Sequence, residues 1–254
     1  MRMNWMESPM PKLIPFLLLA ALPCAADGLA DLRSTLSRLQ GGEAIRATAD
    51  IQNWSQDGEG KKAHIKLTHS KVQIEDGPNG LRLGWTPQQI KGARQESQIK
   101  AADPEAATPN LDSLSALNGL GATAYLSQSD HLLQQLKGAS VLEDRPDSYQ
   151  GKSARLVVFK LDPAVSAEDK SMIKDRKETL KVWLDDHGVP LATEHTIAIK
   201  ASKFLISFTA NNRQACKLAV LGNRLVVQSE SQESSGSGMG FSNTSKKVTA
   251  LTFF

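Results

Sequence analysis

The sequence predicts an α+β fold that is mostly β: one antiparallel sheet of about ten strands with a few short helices. Most of the chain alternates apolar and polar residues with a period of two, between turns rich in Gly, Asn and Asp. The middle of the chain carries helix-capping chemistry instead. No linker or fixed-period repeat divides the 254 residues, of which 40% are hydrophobic, so a single large domain is expected.

The first helix and the first strands follow from a change of period. Leucines at three- and four-residue intervals predict a short amphipathic helix, which Gly41 and Gly42 end. From Ile45 to Gln52 the period becomes two, as in a half-buried strand. Three further strands are predicted to complete a four-stranded meander: Ala63–Leu67, Val72–Ile74 and Leu81–Trp85.

A second helix has complete local start signals. Thr86 can cap it, Pro87 fits its first position, and Gln89 can return a hydrogen bond to the cap. A connector is predicted from Ala101 to Asn110 because it contains two prolines. Spaced leucines predict two more short helices, Leu111–Leu117 ending at Gly119 and Leu132–Leu136 ending at Gly138.

The rest of the chain is predicted to be largely β-meander. Capping residues favour one short helix over 167–174, and the segment Asp185–Gly188 is typical of a turn. The glycine- and serine-rich stretch Ser234–Gly240 is interpreted as a flexible hairpin tip. The predicted strands are Val141–Leu142, Arg155–Leu161, Thr179–Leu184, Leu191–Ala201, Phe204–Ala210, Ala215–Leu221, Leu225–Glu230 and Lys247–Phe254.

The N-terminal segment has the order of a secretory signal peptide. Basic residues precede an apolar run from Leu13 to Leu22, and small residues follow, so cleavage is expected after Ala26. The ten-residue run is about half the length of a membrane span, so no transmembrane span is predicted. Residues 1–26 are therefore interpreted as a leader and 27–254 as one exported, periplasmic domain. The alternative is a lipoprotein anchored at Cys24, and Met10 is an alternative start.

Charge and motif content argue against several functions. Thirty basic residues face 27 acidic ones, which is not the footprint of a nucleic-acid-binding protein. The five histidines lack zinc-site spacing, and no nucleophile elbow, phosphate loop or dinucleotide fingerprint appears. We therefore predict a non-catalytic protein with no cofactor and no metal. Cys216 is expected to be a buried hydrophobe on a strand, with a reactive thiol as the alternative.

Three segments carry a family resemblance. They are Leu32–Leu39 running into Ile45–Ile51, Tyr149–Ala154 running into Arg155–Leu161, and Val182–Asp185 followed by Gly188–Leu191. Together with the order of elements, they resemble the periplasmic lipoprotein-carrier superfamily, which includes LolA-like and LolB-like proteins and related lipid sensors of envelope stress. The resemblance implies a strongly curved, open half-barrel whose helices cover an apolar cavity that accepts acyl chains.

These observations give one functional hypothesis and one alternative. The first is an exported lipid- or lipoprotein-binding carrier or sensor in the cell envelope of a Gram-negative bacterium. Its cavity is predicted to be lined by Ile51, Trp54, Leu83, Trp85 and Trp183, although the same residues could simply fill a packed core. The alternative is an envelope module that binds another protein through its sheet edges or the glycine-rich hairpin.

Overall fold

The computed structural model describes residues 28–60, 63–162, 166, 171–203 and 206–254. This part of the chain contains five helices and ten strands. The helices are α1 (Gly28–Arg38), α2 (Pro87–Ala102), α3 (Pro109–Leu114), α4 (Gly119–Leu126) and α5 (Gln128–Gln135). The strands are β1 (Ile45–Asp57), β2 (His64–Asp76), β3 (Arg82–Gly84), β4 (Ser140–Tyr149), β5 (Lys152–Lys160), β6 (Ile173–Leu184), β7 (Pro190–Lys203), β8 (Ile206–Leu221), β9 (Arg224–Gly238) and β10 (Phe241–Phe253).

All ten strands form one antiparallel sheet, in the order β3-β2-β1-β10-β9-β8-β7-β6-β5-β4. The first long strand and the last one are neighbours, with Ala47 opposite Phe253 and Asp57 opposite Asn243. The sheet does not close on itself, so it has two edges, one at β3 and β2 and the other at β4. The predicted fold class, a mostly β protein with an open sheet of about ten strands and short helices, is confirmed.

The helices cover one face of the sheet, here called the inner face. Along β1, Ala47, Ala49 and Ile51 point to this face and are at most 1% exposed. They join a core with leucines of α1, α4 and α5 and with inner-face residues of β5, β6 and β9. Alternation of side chains thus buries one face of these four strands, β1, β5, β6 and β9, where the core lies, as the period of two predicts.

The described helices leave part of the inner face of β8, β9 and β10 open. On β8 and β9 the inner-face residues Asn212 and Ser234 are half-buried. Towards the ends of these strands, the inner-face residues Ala210, Phe241 and Asn243 are exposed. This part of the inner face is therefore accessible to solvent.

The helix starts follow the local sequence closely. At α2, the Thr86 side chain accepts a hydrogen bond from the Gln89 backbone N–H, and the Gln89 side chain accepts one from the Thr86 N–H. This is the predicted capping box, and it is confirmed. The next helices differ from prediction, because Gly119 begins α4 rather than ending a helix. Asn118 explains the difference, since its side chain caps α4 by accepting from the Gly121 N–H.

Several strands are longer than the sequence indicated. The predicted strands Ala63–Leu67 and Val72–Ile74 are parts of the single strand β2, so the first meander has three strands rather than four. Ala215–Leu221 belongs to β8, which begins at Ile206. Phe204, where a separate strand was expected, and residues 167–170 of a predicted helix lie outside the described residues, as does the leader. Ile173, the penultimate residue of that predicted helix, begins β6.

Candidate ligand-binding face

Three of the five predicted lining residues lie together on the inner face. Ile51 is 1% exposed within the core, and Leu83 and Trp85 are half-buried and pack against that core. The space between this part of the sheet and the helices is occupied by side chains that are fully buried: Leu126, Leu132 and Leu136. Ile51, Leu83 and Trp85 are therefore held in a packed region.

The other two predicted residues, Trp54 and Trp183, lie on the outer face. Trp54 is opposite Leu67 on β2 and Lys246 on β10. Trp183 donates a hydrogen bond from Nε1 to Asp147 Oδ2 at 3.1 Å and contacts the Tyr149 ring at 5.8 Å between centroids. The structure does not bring these two tryptophans together with Ile51. The sequence held the signal, since Ile51 and Trp54 are three residues apart on one strand and must face opposite ways.

A buried polar group joins α4 to the sheet next to the core. Tyr125 donates from its hydroxyl to Glu230 Oε2 at 2.6 Å and lies 3.2 Å from Thr249 Oγ1. Glu230, only 4% exposed, also accepts from the Gln214 side-chain amide. Burial, followed by the nearby Glu230 charge, raises the pKa of Tyr125 well above its usual range, so the hydroxyl stays a donor. These groups satisfy one another and fasten α4 to β9 and β10.

A second polar group lies beside it, between α5 and strands β6 and β7. His195 Nε2 is 2.9 Å from Glu178 Oε1, and Arg176 donates to Glu178 Oε2 at 2.6 Å. Burial, followed by the charge of His195, lowers the pKa of His131 on α5. Sequence reasoning missed both polar groups, because each depends on how separate elements pack: Tyr125 of α4 against Glu230 of β9, and His195 of β7 against Glu178 of β6.

Cys216 lies in the same region and is buried on β8. Burial and then the charge of Glu230 raise the pKa of its thiol to about 12. The thiolate needed for nucleophilic chemistry is therefore disfavoured at neutral pH. The structure confirms Cys216 as a buried residue on a strand.

Beyond these polar groups, the inner face carries an apolar strip. The strip consists of five inner-face residues of β7, β8 and β10: Ile197, Ile199, Ala201, Phe208 and Phe241. The register places Ala201 opposite Phe208, and both Phe208 and Phe241 pair with Gly238, so the two rings approach to 6.3 Å between centroids. Phe241 is 49% exposed, and the other four are half-buried. The strip therefore presents hydrocarbon surface to solvent on the inner face.

An amide strip runs beside the apolar strip on the same face. It consists of inner-face side chains of β8, β9 and β1: Asn212, Gln214, Gln232 and Asn53. The two strips meet where Ile197 lies opposite Asn212. Lys247 lies between Gln232 and Asn53 in the same row of the sheet, with its ammonium 5.9 Å from the Tyr125 ring centroid. This part of the inner face is thus amphipathic, with hydrocarbon on one side and hydrogen-bonding groups on the other.

Comparison with known proteins gives no family assignment. Neither a protein-family model nor a characterised protein matches the sequence. Within the described ranges, no group of three or more His, Cys, Asp and Glu residues is placed to hold a metal ion. No helix among the described residues is both long and apolar enough to cross a membrane. The geometry of the inner and outer faces of the sheet is therefore the basis of the proposed function.

Proposed function

We propose that this protein binds an amphipathic lipid, or the acyl chain of an acylated protein, on the uncovered part of its inner face. It would do so as a non-catalytic carrier or sensor in the bacterial cell envelope. The observation that carries the proposal is the juxtaposition of the apolar strip and the amide strip on the inner face. Hydrocarbon binds the first, and the polar end of the same ligand hydrogen-bonds the second.

The apolar strip is long enough for a useful part of an acyl chain. Four residue steps along β7, from Ile197 to Ala201, span about 13 Å. Each methylene that leaves water on such a surface contributes about 0.8 kcal/mol. A chain lying along the strip would be held by many such increments, because the half-buried side chains of the strip would contact it along its length.

The leader and the family resemblance support the location and the role. A signal peptide cleaved after Ala26 would place the domain in the periplasm, where lipids and acylated proteins must cross an aqueous space. The predicted cavity lined by Ile51 is replaced in this proposal by a surface further along the same face. The packed core then acts as the rigid support from which the strips extend.

Substitution of Ile199 by Asp tests the proposal directly. The charge would stand in the middle of the apolar strip, and we expect binding of a fluorescent fatty acid to weaken at least tenfold. The matched control is Ala198→Asp, which places the same charge on the adjacent, outward-facing position of β7 and should leave binding within about threefold. Undetectable binding by the unmodified protein, or equal losses in both variants, would contradict the proposal.

A further inference from the structure

One edge of the sheet is open along most of its length. β3 pairs with β2 through Gln73, Ile74 and Glu75. Along residues 64–72, no strand of the described part of the chain pairs with β2 on that side. The Gln89 side chain donates to the Lys71 carbonyl at 3.4 Å, so this carbonyl faces the open edge. Because backbone N–H and C=O groups change sides at every residue, Ile65, Leu67 and His69 present theirs to the same edge.

The opposite edge, at β4, is protected in ways that β2 is not. β4 contains Pro146, which cannot donate to a new strand, and a bulge between Val141 and Glu143. Its centre is a run of charged residues, and α1 packs beside it. Both edges expose apolar side chains, but those of β2 are more exposed: Ile65 61% and Leu67 71%, against Val141 38% and Leu142 55% on β4.

A cavity lies on the outer face next to this edge. Its volume is about 520 Å³, and its lining includes Trp54, Leu67, His69, Lys246 and Val248. Leu67 and Trp54 are directly opposite each other, and Val248, 40% exposed, lies diagonally beside Trp54. A strand added to β2 would direct alternate side chains over this apolar floor.

The charge of the edge selects the partner. The sequence from Gly60 to Ile74 contains four lysines and two histidines and no Asp or Glu. Asp50 contacts both His69 and Lys71, but it lies on β1, on the side away from the open edge. Lys66 lies on the inner face and pairs with Asp112 of α3 at 2.6 Å, whereas Lys71 shares the outer face with Leu67 and has a 63% exposed side chain. A carboxylate that arrives from the open side can therefore pair with Lys71. A second copy of this strand would oppose like charges instead, which is unfavourable.

We propose that the β2 edge binds an extended acidic segment of a partner protein as an added strand. On the outer face the segment places apolar residues opposite Ile65 and Leu67, where they also cover Trp54, and Asp or Glu opposite Lys71. Backbone hydrogen bonds to Ile65, Leu67 and His69 supply sequence-independent affinity, and this order of outer-face side chains supplies specificity. This site is separate from the apolar strip, because it uses the edge and the outer face.

The test uses a labelled nine-residue peptide with Val at the positions that face Ile65 and Leu67 and Glu at the position that faces Lys71, and its counterpart has Lys in place of that Glu. Fluorescence anisotropy should show at least tenfold tighter binding of the acidic peptide, and added salt should weaken that binding. Leu67→Pro removes an edge-facing N–H that β1 does not use, so we expect at least a tenfold loss. Leu67→Thr keeps that N–H and should stay within about threefold.

Two further measurements keep the proposal falsifiable if the proline variant does not fold. Lys71→Glu should reduce binding of the acidic peptide, and the bound peptide should slow amide exchange at Ile65, Leu67 and His69. Equal binding of both peptides, no binding of the acidic one, or protection confined to β4 or the apolar strip would overturn the proposal. Fatty-acid binding by a folded Leu67→Pro variant should be unchanged, which separates this site from the proposed lipid site.

Discussion

Arg224 joins three segments of the chain through one buried guanidinium. Its Nε donates to the Leu126 carbonyl and its Nη1 to the Glu43 carbonyl, each at 2.8 Å, and its Nη2 pairs with Asp76 Oδ2. The residue is 5% exposed. It therefore fixes the end of α4 and the segment before β1 to the start of β9.

Replacing Arg224 by Met should destabilise the protein by about 3–5 kcal/mol, because it leaves Asp76 and two carbonyls without their partner. Urea unfolding followed by circular dichroism measures the loss. Arg46→Met is the matched control, since Arg46 pairs with Glu75 but its side chain is 66% exposed, and it should cost less than about 1 kcal/mol. Similar losses in the two variants would contradict this role of Arg224.

His131 should make stability fall in mild acid. Burial, followed by the charge of His195, holds the pKa of His131 in the folded protein below its usual value, so the unfolded chain takes up a proton first as the pH falls. The stability that neutral His131 contributes is thus complete above the pKa of the unfolded chain and is lost as the pH falls below it. Urea midpoints measured from pH 7.5 down to 5 should show the decline, and His131→Gln should reduce it. His187→Gln, at an 82% exposed side chain, should not.

Some residue-scale features could be predicted from the sequence, and others could not. That Ile51 and Trp54 lie on opposite faces of the sheet follows from counting residues along β1. The Tyr125–Glu230 hydrogen bond joins residues 105 positions apart, and the Arg224–Leu126 bond joins residues 98 apart. No local pattern reports such contacts, because they form only when the fold brings the two segments together.

At the scale of elements, β9 shows how pairing overrides local preference. The segment predicted as a hairpin tip, Ser234–Gly240, is instead strand up to Gly238, and the turn consists of Met239 and Gly240. Ser234 pairs with Asn212 on one side and Ser245 on the other, and the hydroxyls of Ser234 and Ser245 are 2.7 Å apart. Serine and glycine have low intrinsic strand preference. A central strand, hydrogen-bonded to a neighbouring strand on each side, nevertheless stabilises their extended conformation.

Gly238 is required by the close approach of β8. A Cβ at this position would lie 2.7 Å from the Ser207 carbonyl oxygen and 2.7 Å from the Phe208 ring. We expect Gly238→Ala to destabilise the protein by about 1–3 kcal/mol through this overlap. Gly42→Ala is the control, because a Cβ there meets no atom within 4 Å, and it should change stability by less than about 0.5 kcal/mol. Equal unfolding midpoints for the two variants would contradict the requirement.

At the scale of the whole molecule, the fold class could be predicted from the sequence, but the position of the proposed binding surface could not. Alternating residues and turn signals were sufficient for an open, mostly β sheet with few helices. The position of the apolar strip depends on which part of the inner face the helices leave uncovered. That depends on helix docking and sheet curvature, which arise from contacts between distant segments. Ile197 and Ile199 looked like ordinary core positions in the sequence.

The most direct test of the central claim is to locate a bound fatty acid on the protein. A spin-labelled stearic acid broadens nearby methyl resonances in an NMR spectrum. We expect broadening of the Ile197 and Ile199 methyl groups, with those of Leu67 and Val248 on the outer face unaffected. Broadening confined to the outer-face methyl groups, or none at saturating ligand, would contradict lipid binding on the inner face.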